Sequence, residues 1–397
     1  MAAFTPHQLY REQLRVLANP RLLRPLIASL TSETHTDAEA HKVVWSQFAP
    51  GSRPYAKVYL NQAEAPLRLW VLECFAAEPP STTRDNGMPG GDAQHHACLG
   101  WIRLSPWRRD ARLPGLRAAR HIGRSVSRVR YHPGLQLRAE ITTTETSIDL
   151  AFLRPRAAAR LFHDSCHLRT VLGPHAGCIP QAPQLRPRSA LLLYERPPAM
   201  HLAPLLSSDL AEQHLDRWLE TLLAIAHAPS TAPASTRPDA QQQRYWRAVA
   251  ELQSLAQGYP GLSDLAAELI ASLTSAHARS SVGKPIGYAN AQLHAWGMSH
   301  NAPVLLQAVR QQLEEAELLA AEVCVQIANR NYAHGTELEH QVLNRLRSEF
   351  ATLSQRKIRL YRAHFEIRSA TAVTQRIAPS GDEVARAHLL KAQTWLR

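Results

Sequence analysis

His163, Cys166 and His167 follow one another at i, i+3 and i+4, a spacing that on a helix turns all three side chains to one face. Imidazole and thiolate are zinc ligands, but no matching pair elsewhere in the chain completes a four-ligand set. The spacing therefore reads as a polar helix stripe with one sheltered cysteine, and no metal is expected. His95-His96-x-Cys98 is read the same way, because twenty histidines make chance clusters common. Cys178 stands in a Pro/Gly-rich turn and Cys324 in an apolar helical run, and neither has the neighbours of a nucleophilic cysteine. No Gly-rich phosphate loop, GxSxG elbow or HExxH pair is present.

Charge is the other chemical signal. The 397 residues include 45 Lys+Arg against 33 Asp+Glu, a net charge of +12. Only Lys42, Lys57, Lys284, Lys357 and Lys391 are lysines, so the excess is arginine. It concentrates between Trp107 and Arg138, with Arg108, Arg109, Arg112 and Arg130 among its members, and again between Arg345 and Arg376. Guanidinium groups pair with carboxylates and phosphates alike. An acidic protein or peptide is the first expectation for a partner; nucleic acid, with Trp101, Trp107 and Tyr131 available for stacking, is the second.

The elements that would position these residues change character along the chain. Lys42 to Leu60 and Leu67 to Phe75 are strand-like runs behind a helical stretch at Pro6 to Leu30, and Pro79 to Gln94 is dense in turn formers, which predicts a flexible loop at 79–94. Val126 to Tyr131, Leu135 to Thr142 and Ile148 to Leu153 predict a three-stranded meander, followed by a helix at Pro155 to Leu172 and a buried strand at Ala190 to Tyr194. From Ser208 onward strand signals nearly vanish, and helices are predicted at about 209–228, 240–257, 263–278, 307–333, 336–354 and 356–376. The expected division is an N-terminal extension at 1–99, an α+β unit at 100–206 and a helical unit at 207–397. Five cysteines without a CxxC pair and the lack of an apolar leader or spanning segment predict a reduced, cytoplasmic protein with no membrane contact.

Leu113-Pro114-Gly115-Leu116, the run from Val129 to Gly134 and the run from Leu153 to Ala158 resemble, in order, the N-terminal lobe of the bacterial aminoglycoside phosphotransferase and choline kinase-like group. The resemblance covers roughly residues 100–376. It implies an α+β, bilobal protein-kinase-like fold with a small β-rich N-lobe and a larger helical C-lobe, here carrying an extra N-terminal α/β element. Active members of the group use a strand lysine, an HGD catalytic loop with a following Asn or Gln, and a later aspartate for magnesium.

The matching positions carry other residues. The lysine position falls on or near Ala151, and no lysine occurs between Lys57 and Lys284. Pro285 to His294 stands for the catalytic loop, with Tyr288 at the catalytic aspartate and Asn290 or Gln292 at the amide. Gln307 stands at the magnesium acid, and no carboxylate occurs between Glu268 and Glu314. Phosphoryl transfer needs lysine and metal to neutralise charge and an acid to orient the nucleophile. The expectation is a pseudokinase-like binding or scaffold protein without cofactor, holding a peptide or partner enzyme through residues such as Arg108, Arg109, Arg112, Arg130 and Arg154, with a peptide-modification pathway as its setting. Two alternatives stay open: an active phosphotransferase whose acid and lysine come from Asp149, Glu195 or Lys284, and a basic nucleic-acid-binding protein.

Overall fold

The computed structural model describes residues 13, 15, 16, 19–31, 41–49, 55–62, 69–75, 93–96, 99–106, 113–116, 128–132, 136–142, 146–229, 237–280, 285–288, 291–306, 312–374 and 381–397. Helix α1 (Pro20–Thr31) precedes an antiparallel sheet of β1 (His41–Ala49), β2 (Tyr55–Gln62), β3 (Leu69–Phe75), β4 (Gln94–His96) and β5 (Gly100–Pro106), in the order β1-β2-β3-β5-β4. This sheet runs to Pro106, past the division drawn at 99, because Trp101 to Pro106 pairs with Trp70 to Phe75. Of the predicted loop at 79–94, residues 79–92 lie outside the described residues, and Gln94 opens β4.

A second five-stranded antiparallel sheet follows, from β6 (Arg128–His132), β7 (Gln136–Thr142), β8 (Ser147–Leu153), β9 (Gln181–Arg186) and β10 (Leu191–Arg196), in the order β6-β7-β8-β10-β9. Helix α2 (Pro155–Val171) connects β8 to the outer strands. The central strand β8 reads SIDLAFL and is covered on both faces, which is why its apolar residues run together instead of alternating. On one face Ala151, Leu153, Leu192 and Tyr194 pack with Ala158 of α2. On the other, the Leu113 to Leu116 turn lies against the sheet with both leucines fully buried. A Cβ at Gly115 would stand 2.3 Å from the Ser189 carbonyl oxygen and 2.7 Å from the Phe152 ring, so glycine permits this approach.

The chain then crosses into a helical lobe through β11 (Met200–His201) and the short helix α3 (Leu202–Leu205). Helices α4 (Ala211–His227), α5 (Arg237–Gly258), α6 (Ser263–Ala278), α7 (Ala316–Ala328), α8 (Gly335–Glu349), α9 (Gln355–Thr374) and α10 (Gly381–Leu396) enclose two apolar cores. One centres on Trp218 and Trp296, whose rings meet edge to face at 6.3 Å; the other joins α5, α6, α9 and α10. Strands are not absent here. β12 (Pro285–Tyr288) pairs with β15 (Gln312–Glu315), and β13 (Trp296–Ser299) lies between β11 and β14 (Ala302–Leu305). The helix predicted from 307 therefore begins at Ala316, and α10 is an element the periodicity did not flag. Four-residue runs such as PIGY and APVL are too short for period to tell strand from helix.

Gly297 packs closely against the strand that crosses into the helical lobe. A Cβ there would stand 2.8 Å from the Met200 carbonyl oxygen and 2.9 Å from the Leu306 side chain. The β13–β14 hairpin closes through His300 and Asn301, both at positive φ (47° and 66°), the geometry of a two-residue hairpin turn. Among the described residues no helix is long and apolar enough to cross a membrane.

Candidate functional site

The antiparallel pairing of β12 with β15 sets Tyr288 opposite Gln312. Gln307 and Asn290 themselves lie outside the described residues. Gln292 precedes the turn of 3-10 helix at Leu293–Ala295, where its carbonyl accepts the Ala295 amide at 2.8 Å.

Tyr288 is half-buried against the main core, and its hydroxyl donates to the carboxylate of Glu322 on α7. Glu322 is buried, and burial pushes its carboxyl up to about 7 against the opposing pull of Arg368. One turn along the same helix, Gln326 Oε1 accepts the Leu293 amide at 2.8 Å and its Nε2 donates to the Ala291 carbonyl at 3.1 Å. Helix α7 therefore holds the connection from Tyr288 to Leu293 at three points. The Glu322 carboxylate is thus engaged in packing this segment.

A second buried network adjoins the ribbon. Glu315 accepts the Tyr361 hydroxyl at 2.6 Å and pairs with Lys357 at 2.8 Å, while its neighbour Glu314 pairs with Arg244. Burial raises Glu314 and Arg244 pulls it back. These acids, the first to follow the acid-free stretch, are thus turned into the lobe and neutralised there.

Ala151 is fully buried in the smaller lobe, opposite Arg138 of β7 and Leu192 of β10. The cation nearest to the missing lysine in the strand register is Arg138, whose Nε donates to Gln136 at 3.0 Å. Arg154, considered in the sequence as a substitute, is instead exposed at the cap of α2. Two positions along the same face, Asp149 accepts Arg196 Nε at 3.0 Å, and Arg196 also pairs with Glu140. Burial lifts Asp149 to about 6 despite Arg196 beside it. Glu195 is exposed and follows the buried Tyr194, which places it on the opposite face of β10. Lys284 lies outside the described residues, as do Arg108, Arg109 and Arg112. Arg130 stands opposite Arg138 in the β6–β7 register.

Glu322, Gln326 and Arg138 were not singled out in the sequence. The signal for Glu322 was present: α7 reads AELLAAEVCVQIA, so apolar around its circumference that its two carboxylates have to be buried and therefore partnered.

No protein-family model matches the chain, and no curated protein sequence is similar to it. Among solved structures, the chain is similar to an amicoumacin kinase in complex with AMP-PNP, Ca2+ and Ami, at a TM-score of 0.51 and 11% identity over 72% of this chain and 94% of that one. A choline kinase from Streptococcus pneumoniae aligns at a TM-score of 0.46 and 8% identity, covering 68% of this chain and 94% of that one. A choline/ethanolamine kinase family protein from Mesorhizobium loti aligns at 0.45 and 9%, covering 72% and 93%. The alignment with the first takes in nearly all of that kinase, and with the two-lobed architecture described above it identifies the fold of this chain as the bilobal protein-kinase-like fold.

Proposed function

We propose that the chain is a non-catalytic, pseudokinase-like protein that holds an acidic peptide or a partner enzyme. The observation that carries this reading is the Tyr288–Glu322 hydrogen bond, at the position that the sequence resemblance assigns to the catalytic acid. A tyrosine hydroxyl donating to a buried carboxylate neither coordinates a divalent cation nor accepts a proton from an attacking hydroxyl. The fully buried alanine at the lysine position supports the same conclusion.

The alternative of displaced catalytic residues finds less support. Asp149 is committed to Arg196, and Glu195 faces away from Ala151. Kinase-fold proteins that keep the architecture and lose the charges retain an interlobe cleft and surfaces suited to binding, and function follows the site more than the fold. A cytoplasmic setting and a role in peptide modification belong to the same proposal. The buried, unpaired Cys74, Cys178 and Cys324 are in keeping with a reducing compartment.

The test is ADP formation from ATP and Mg2+ by the full chain, alone and with candidate peptides. The proposal expects no turnover above the protein-free rate. Steady ADP release that disappears in Asp149→Asn or Lys284→Met would replace it with the displaced-residue enzyme.

A further inference from the structure

At one end of the second sheet, Arg154 stands among further arginines. In the strand register Leu191 pairs with both Phe152 and Arg186, and the Leu153 amide donates to the Ala190 carbonyl at 3.1 Å. The end of β8, the end of β9 and the start of β10 therefore meet at one edge. Arg154 and Arg156 leave that edge at the beginning of α2, Arg160 stands one turn further along, and Arg186 and Arg188 sit at the end of β9 and in the turn that follows. All five arginines are exposed.

The first turn of α2 contains no carboxylate, so the positive end of its helix dipole adds to the guanidinium charge where an acid would ordinarily be favoured. Among the described residues, Arg156, Arg160, Arg186 and Arg188 form no ion pair. Like charges gathered in this way repel one another unless an anion lies between them.

We propose that this edge, formed by Arg154, Arg156, Arg160, Arg186 and Arg188, is the docking surface for an acidic polypeptide segment. Each guanidinium presents a planar fork that matches a carboxylate, and a short run of Asp or Glu side chains supplies several at once. Nucleic acid is the poorer fit, because among the described residues none of the exposed large hydrophobic side chains, Trp246 included, belongs to α2, β9 or the turn after it. The surface rests on the partner-holding reading given above. It is measured without nucleotide, so failure here and failure there are separate results.

The experiment is fluorescence anisotropy of a labelled poly-glutamate peptide titrated with the full chain at low salt. The paired reversal Arg156→Glu with Arg188→Glu is expected to weaken binding by at least about tenfold, the equivalent of one or two lost charge pairs. Arg160→Glu with Arg186→Glu provides a second pair should the first not fold. Arg386→Glu, exposed on α10, is expected to change affinity by less than about twofold. Absence of binding by the parent chain, or equal losses in the α10 variant, overturns the proposal. Displacement of the peptide by an oligonucleotide of equal charge at lower concentration overturns it in favour of nucleic acid.

Discussion

The hydroxyl of Tyr288, at the tip of β12, donates to the carboxylate of Glu322 in the middle of α7. The phenol thereby faces the interior of the lobe, packed against the main core. The same contact makes a titration prediction. Burial lifts Glu322 from the ordinary 4.5 to about 7, so the folded protein keeps a proton that the unfolded chain has released. The stabilisation is complete below the ordinary value and is lost as pH rises through about 7, a swing of up to about 3 kcal/mol. Glu322→Gln removes the titration and keeps an acceptor for Tyr288. Its urea midpoint is expected to fall less steeply than the parent's between about pH 5 and pH 8; parallel curves would contradict the assignment.

The acid side has its own group. Both imidazole nitrogens of His364 and Nδ1 of His277 are buried without hydrogen-bond partners. Burial, then Arg244 and His277, pushes His364 down to about 3. The unfolded chain takes up this proton near the ordinary 6.5 and the folded chain does not, so stability is lost as pH falls below 6.5. His364→Leu is expected to gain midpoint relative to the parent at about pH 5 and to gain less at about pH 8. Equal gains at both would show that packing, not protonation, decides.

Arg196 ties two carboxylates of the second sheet, Glu140 and Asp149, from a nearly buried position. Arg196→Met leaves both without their cation in a poorly hydrated site and is expected to cost about 3–5 kcal/mol in urea unfolding. Adding Asp149→Asn should recover part of that loss. A cost under about 1 kcal/mol would mean that the cluster is well solvated.

Two glycines are predicted to be irreplaceable for steric reasons. Gly115→Ala would place Cβ 2.3 Å from the Ser189 oxygen, and Gly297→Ala would place it 2.8 Å from the Met200 oxygen. Each is expected to cost about 1–3 kcal/mol. Gly261→Ala, with open space around it, should stay within about 0.5 kcal/mol of the parent. Thermal melts of the three variants decide.

Much of the smaller lobe was legible because β7, β8 and β10 are bounded by clear turns, and the LPGL and LRP motifs mark their neighbours. The larger lobe hid its strands. PIGY, WGMS, APVL and QLEE are each one short run, and only their pairing makes them a ribbon and a hairpin. The loss of charge is a reading of the sequence resemblance, which assigns Ala151 to the lysine position and Tyr288 to the acid position. The partners of these two residues were not legible, because Arg138 stands opposite Ala151 across a strand pair, and Glu322 meets Tyr288 across 34 positions. Such contacts belong to topology and leave no local pattern.

Calorimetric titration of the full chain with ATP, with and without Mg2+, tests the absence of a phosphotransferase site most directly. The predicted result is no metal-dependent binding, since neither a lysine at 151 nor a carboxylate at 288 is present to hold the phosphates and their cation. Micromolar ATP binding that requires Mg2+ and vanishes with EDTA would contradict the account.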